Sequence, residues 1–139
     1  MEARKKMRTH DIVVSFVLVL ILGLAGCVPA SPKKQTTATS GALTMSLLMT
    51  PDPPTPMRET QAQLTLSDSR GQPVSATNVN MDLTMPGMAM PANRPQVVAA
   101  GDGVYRAKTI FSMAGTWKIE VTIAQAGATE TFAFELEVK

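Results

Sequence analysis

Histidine and cysteine are nearly absent from this sequence: among 139 residues, His10 is the only histidine and Cys27 the only cysteine. Everything beyond Cys27 therefore lacks the usual zinc ligands, the Ser-His-Asp and Cys-His nucleophile systems, and the commonest general base. No paired carboxylates, Gly-rich phosphate loop or nucleophile elbow stands in their place. Asp82 falls on the outward side of an alternating run and Asp102 is the middle of a Gly-Asp-Gly turn, so both are expected in solvent. An enzyme lacks its residues here. What remains is methionine, carboxylate and hydroxyl chemistry.

The first quarter of the chain reads as targeting. Residues 1 to 11 carry Arg4, Lys5, Lys6 and Arg8, and from Ile12 to Leu22 nearly every residue is apolar and none is charged. A basic segment followed by an apolar run too short for a comfortable span is the pattern of a secretory signal, expected over residues 1–26. The segment closes on Leu24-Ala25-Gly26-Cys27, which resembles the bacterial lipobox. That resemblance implies a diacylglycerol on the Cys27 thiol and a cut just before it. The plainer alternative keeps Cys27 as a free thiol beside an uncleaved anchor helix. Acyl chains contribute about 0.8 kcal/mol per buried CH₂, so two or three hold a small domain on a bilayer without a spanning helix. An extracytoplasmic domain on a bacterial cell membrane or outer membrane is the expectation.

Loss of the signal changes the charge. The full chain carries 13 basic and 11 acidic residues, a net +2, and removing Arg4, Lys5, Lys6, Arg8, Glu2 and Asp11 leaves nine of each sign. A near-neutral domain without a basic patch argues against nucleic acid as a partner. An acylated Cys27 also leaves no thiol for a disulfide, so the domain must be held by its core alone.

Residues 28 to 41, VPASPKKQTTATSG, have no apolar periodicity and read, with Cys27, as an anchor and solvated tether over residues 27–41. From Ala42 to Lys139 the period is two. Leu43, Met45, Leu47 and Met49 alternate with Thr44 and Ser46 before PDPPTP ends the run. Further runs follow at Ala62–Leu66, Val79–Met85, Gln96–Ala100, Val104–Phe111, Trp117–Ile123 and Phe132–Val138, separated by turns such as Gly101-Asp102-Gly103 and Ala126-Gly127-Ala128. Six or seven short strands in 98 residues, with no competing helical window, predict an all-β, immunoglobulin-like antiparallel sandwich.

Eight of the ten methionines lie in that region. Met45, Met49, Met81 and Met85 fall on inward faces, where a flexible thioether fills irregular gaps. Met88 and Met90 follow Pro86-Gly87 and precede Pro91, where strand pattern is lost. Their loop could plug the open end of the sandwich, offer a contact surface to a protein partner, or ligate Cu(I), which soft sulfur selects. Met85, Met88 and Met90 are close enough in sequence for three sulfurs to converge.

Taken in order, Pro53 to Pro56, Ala62 to Leu66, Asp68 to Val74, the string Met85-Pro86-Gly87-Met88-Ala89-Met90, Gly103-Val104-Tyr105 and Phe111-Ser112-Met113-Ala114-Gly115-Thr116-Trp117 resemble the YtkA-like domain, related to the periplasmic part of FixH proteins. The resemblance spans roughly residues 42–139. It implies a small extracytoplasmic β-sandwich, often a lipoprotein, linked to copper handling and respiratory oxidase assembly. It marks Met85, Met88, Met90 and Met113 as candidate metal ligands, Gly87, Gly103 and Gly115 as turn positions and Trp117 as a core residue. Relatives commonly place a histidine among these methionines. This chain has none, which turns the expected ion from Cu(II) to Cu(I). The expected partners are the membrane, through the anchor, and a copper acceptor or another envelope protein.

Overall fold

The computed structural model describes residues 34–139. The signal, Cys27 and the expected tether up to residue 33 lie outside the described residues. Among the described residues, eight strands form two antiparallel sheets: β1 (Gln35–Ser40), β2 (Leu43–Thr50), β3 (Glu59–Asp68), β4 (Asn78–Thr84), β5 (Val97–Gly101), β6 (Val104–Ile110), β7 (Gly115–Gln125) and β8 (Ala128–Val138). One sheet runs β1-β2-β3-β6-β5 and the other β4-β7-β8. With β1 set aside, four strands face three in the arrangement of a constant-type immunoglobulin sandwich.

Each of the seven runs becomes a strand, β2 to β8; in all but β5 an apolar period of two leaves one face to bury, whereas Val97–Gly101 is mostly exposed and is held by its pairing with β6. Met45, Leu47 and Met49 of β2 and Ala62, Leu64 and Leu66 of β3 meet Met81 and Leu83 of β4, Trp117 to Ile123 of β7 and Phe132 and Phe134 of β8 in one core. Lys33–Lys139 form a compact unit by themselves. A fragment beginning near Ala30 therefore keeps every residue of that core.

The tether expectation fails over residues 35–40. The segment QTTATS pairs with β2 from Gln35↔Leu48 to Ser40↔Leu43, so the sandwich opens at Gln35 rather than Ala42. Its residues alternate between exposed and half-buried, and Ala38 packs against the core. A polar edge strand needs β-branched threonines and a ladder partner, not an apolar face.

The strand pairings fix which segments share an end. Glu59 faces Ile110, Thr84 faces Lys118 and Gly115 faces Val138. Thus the end of β2, the start of β3, the ends of β4, β6 and β8, and the start of β7 lie together. The opposite end carries the turns at Gly71, Asp102 and Ala126-Gly127.

Candidate functional site

All four methionines singled out by the sequence lie at the first of these ends. Thr84 closes β4, and the next residues, Met85-Pro86-Gly87-Met88, turn sharply, with the Met88 N–H donating to the Met85 carbonyl at 3.2 Å. Proline holds its own φ near −65° and Gly87 has φ +79°, which defines a type II turn and requires glycine at its third position. Met90 then folds back, so that its Sδ accepts the Met85 N–H at 3.3 Å. Thioether sulfur is a weak acceptor, yet it is the partner this N–H has.

The loop is closed at its base. Leu83 N–H donates to the Asn93 carbonyl at 3.0 Å, pairing the two strands' continuation past the loop. The Asn93 side chain reaches the other sheet, donating from Nδ2 to the Ile110 carbonyl and accepting from Thr109 Oγ1. Residues 85–92 are thus a small closed loop stitched to both sheets.

Met113 occupies the turn between β6 and β7. Trp117 is fully buried and its Nε1 donates to the Met113 carbonyl at 3.1 Å, while its ring packs edge-on against Phe111 at 5.1 Å. Met85 ties the loop to this turn. A Cβ on Gly115 would stand 2.8 Å from the Met85 Cε, so the methyl rests on glycine backbone two residues beyond Met113.

The structure divides the eight methionines by burial. Met45, Met49 and Met81 are core residues, as their alternation predicts, and Met85 and Met90 are half-buried against that core. Met88 is 52% and Met113 39% exposed. Met85, Met88 and Met90 therefore share one loop, and Met85 alone spans toward the turn of Met113.

Two residues of this end escape the sequence reading. Met57 is 74% exposed and stands at φ +59°, its N–H donating to the Phe111 carbonyl at 2.8 Å. Thr60 is fully buried and its Oγ1 has no hydrogen-bond partner. The signal for Met57 is topological: once β3 and β6 are paired, the residue before β3 must lie beside the turn that follows β6. Nothing in the local pattern around Thr60 marks its hydroxyl.

Charge adds little. Arg94 pairs with Asp82 at 3.0 Å and Lys108 with Glu59 at 2.9 Å, all four side chains at least one-third exposed. Among the described residues, no three His, Cys, Asp or Glu side chains come together in a way that could hold a metal ion. The donors gathered here are neutral thioethers, a set suited to a soft ion such as Cu(I) and unsuited to Zn²⁺ or Mg²⁺.

A small immunoglobulin-like sandwich with a methionine-bearing loop at one end is the class these observations define. The chain belongs to the YtkA-like family, whose model matches residues 37–122. That span begins inside β1, in agreement with the earlier opening of the sandwich. No curated protein matches the chain. Among solved structures, a DUF4426 family protein from Pseudomonas aeruginosa is similar at 15% identity and a TM-score of 0.55, over 75% of this chain and 94% of that one. The Lin-41 filamin domain aligns at 12% identity and a TM-score of 0.48, over 75% of this chain and 98% of that one.

Proposed function

We propose that the domain is a lipid-anchored, extracytoplasmic binding module that carries Cu(I) on Met85, Met88, Met90 and Met113. It binds rather than catalyses. The observation that supports this most is the fold of residues 85–90, where a type II turn and the Met90 Sδ contact draw three thioethers into one loop. Neutral sulfur holds a soft cation without a charge to trap it, as a protein that passes copper on requires. The family resemblance suggests an acceptor connected with respiratory oxidase assembly, and the Leu24–Cys27 motif suggests acylation at Cys27.

Competition against a Cu(I) chelator tests the copper assignment, with Ala30–Lys139 as the wild type and Met88→Leu/Met90→Leu as the variant. Leucine keeps the apolar bulk and removes sulfur. The double variant is expected to give up copper at chelator concentrations roughly tenfold lower; equal retention by both proteins would sink the assignment.

A second reading is a non-metal interaction module of the cell envelope. It is favoured by the exposure of Met88 and Met113, since flexible thioethers also make adaptable protein contacts. A wild-type domain that retains no copper under these conditions selects it.

A further inference from the structure

We propose that the methionine end of the sandwich rests on the lipid surface of the bilayer to which the chain is anchored. The inference depends on acylation of Cys27 and not on copper. Three observations carry it.

Exposed apolar side chains concentrate at that end. Of the five large hydrophobic residues exposed among the described residues, Met57, Met88, Ile110 and Met113 lie there, and Val98, midway along its sheet edge, is the exception. These four come from three separate segments: the approach to β3, the loop after β4 and the end of β6 with its turn. Unpartnered apolar groups clustered in this way mark a contact surface.

The chain enters the sandwich at the same end. Gln35 pairs with Leu48, two residues before β2 finishes at Thr50, so β1 starts beside the methionine loops and runs away from them. Lys34 shares a surface hollow with Asp52, Pro53 and Lys139, which places it at that end too.

Length then favours one orientation. From Cys27 to Gln35 are eight residue steps, which span at most about 26–29 Å. Strand β1 has six residues, and a strand of that length runs about 20 Å. To turn the opposite end to the bilayer, the tether would have to run back beside β1 and spend most of its reach doing so. A tether short of full extension holds the methionine end nearer the lipid, and the apolar side chains there complete the contact. Flexible apolar side chains held within that reach are at high effective concentration over the surface, so weak insertion of each suffices.

The full chain in vesicles of phosphatidylcholine with one-fifth phosphatidylglycerol, doped with a gadolinium-chelating lipid, provides the test. Methionine ε-methyl and alanine methyl signals are read by NMR. The Met57, Met88 and Met113 methyls should broaden several-fold more than those of Ala126 and Ala128 at the far end. In the Met57→Gln/Met88→Gln/Met113→Gln variant, the remaining Met90 methyl should lose much of its broadening. Equal broadening at both ends overturns the proposal. So does an unchanged Met90 signal in the variant, or broadening that appears only in native membranes, which would assign the end to a membrane protein. Mass spectrometry of the purified chain reports the anchor separately. If it shows no acyl group, the anchor reading falls, and coupling Cys27 to a maleimide lipid puts the preference of the end to the same measurement.

Discussion

Gly103 stands at φ +71°, and a Cβ placed on it would meet the Leu66 carbonyl oxygen at 2.6 Å and the Val74 carbonyl oxygen at 2.8 Å. Its own carbonyl accepts the Leu66 N–H at 2.8 Å, so the close approach belongs to the β3 backbone and cannot retreat without breaking a hydrogen bond. Replacing Gly103 by alanine adds both left-handed strain and a clash with main chain, and should cost more than about 2 kcal/mol. Urea unfolding monitored through Trp117 measures it. Gly127, also at positive φ, has nothing within 4 Å of its would-be Cβ. Alanine there should cost only the backbone term of about 1 kcal/mol. The contrast separates close approach from conformation. Gly115 is a third case, because what its Cβ would meet is the mobile tip of Met85 rather than backbone.

At the scale of elements, β1 is the part most easily removed. It contributes no fully buried residue, yet its six residues complete the ladder along β2. Each ladder hydrogen bond nets about 0.5–1.5 kcal/mol, and ordering each residue costs about 1–2 kcal/mol. The balance is small. A chain starting at Ala42 should stay folded but lose about 1–2 kcal/mol. It should also associate as concentration rises, because the bared β2 edge is a template for pairing. Thermal melting and light scattering over a concentration series check both parts. This element was also the least legible in the sequence. Six of the other strands announce themselves through apolar alternation and β5 through the Gly101-Asp102-Gly103 turn that follows it, whereas QTTATS offers only three threonines among small or polar residues and borrows its order from β2. The candidate site was half legible in the same sense. The crowding of Met85, Met88 and Met90 is local, and Pro86-Gly87 is a turn on its face. That Asn93 would fasten the loop across both sheets and that Met57 would join this end depend on pairings between distant segments, while the Met90 sulfur accepting the Met85 N–H is a local contact that no residue pattern announces.

For the whole molecule, the division into two ends organises everything else. One end holds turns with glycines at positive φ, Gly71, Gly103 and Gly127. The other holds the connection from β4 to β5, the longest between described strands, together with the exposed methionines and the first and last described strands' outer tips. The segment between β2 and β3 is pinned there, with the Lys139 N–H donating to the Pro54 carbonyl at 2.9 Å and the Met57 N–H donating to the Phe111 carbonyl. Loops that carry function are usually mobile, but these are fastened by backbone hydrogen bonds to the scaffold. A copper ligand set and a lipid-facing surface would both draw on that fixed placement.

The meeting of Lys34 and Lys139 at one hollow has a consequence for connectivity. Where the first and last strands of a domain lie side by side, the order in which the chain visits them is not needed to keep the packing. Joining Gln35 to Val138 through a short glycine-serine linker, and opening the chain at the exposed Ala126-Gly127 turn, should give a circular permutant with the same core and a similar melting temperature. Loss of the Trp117 near-ultraviolet signal in such a permutant would count against this. Its new termini would emerge at the end away from the methionines, moving the point of attachment while leaving the loop of Met85, Met88 and Met90 in place.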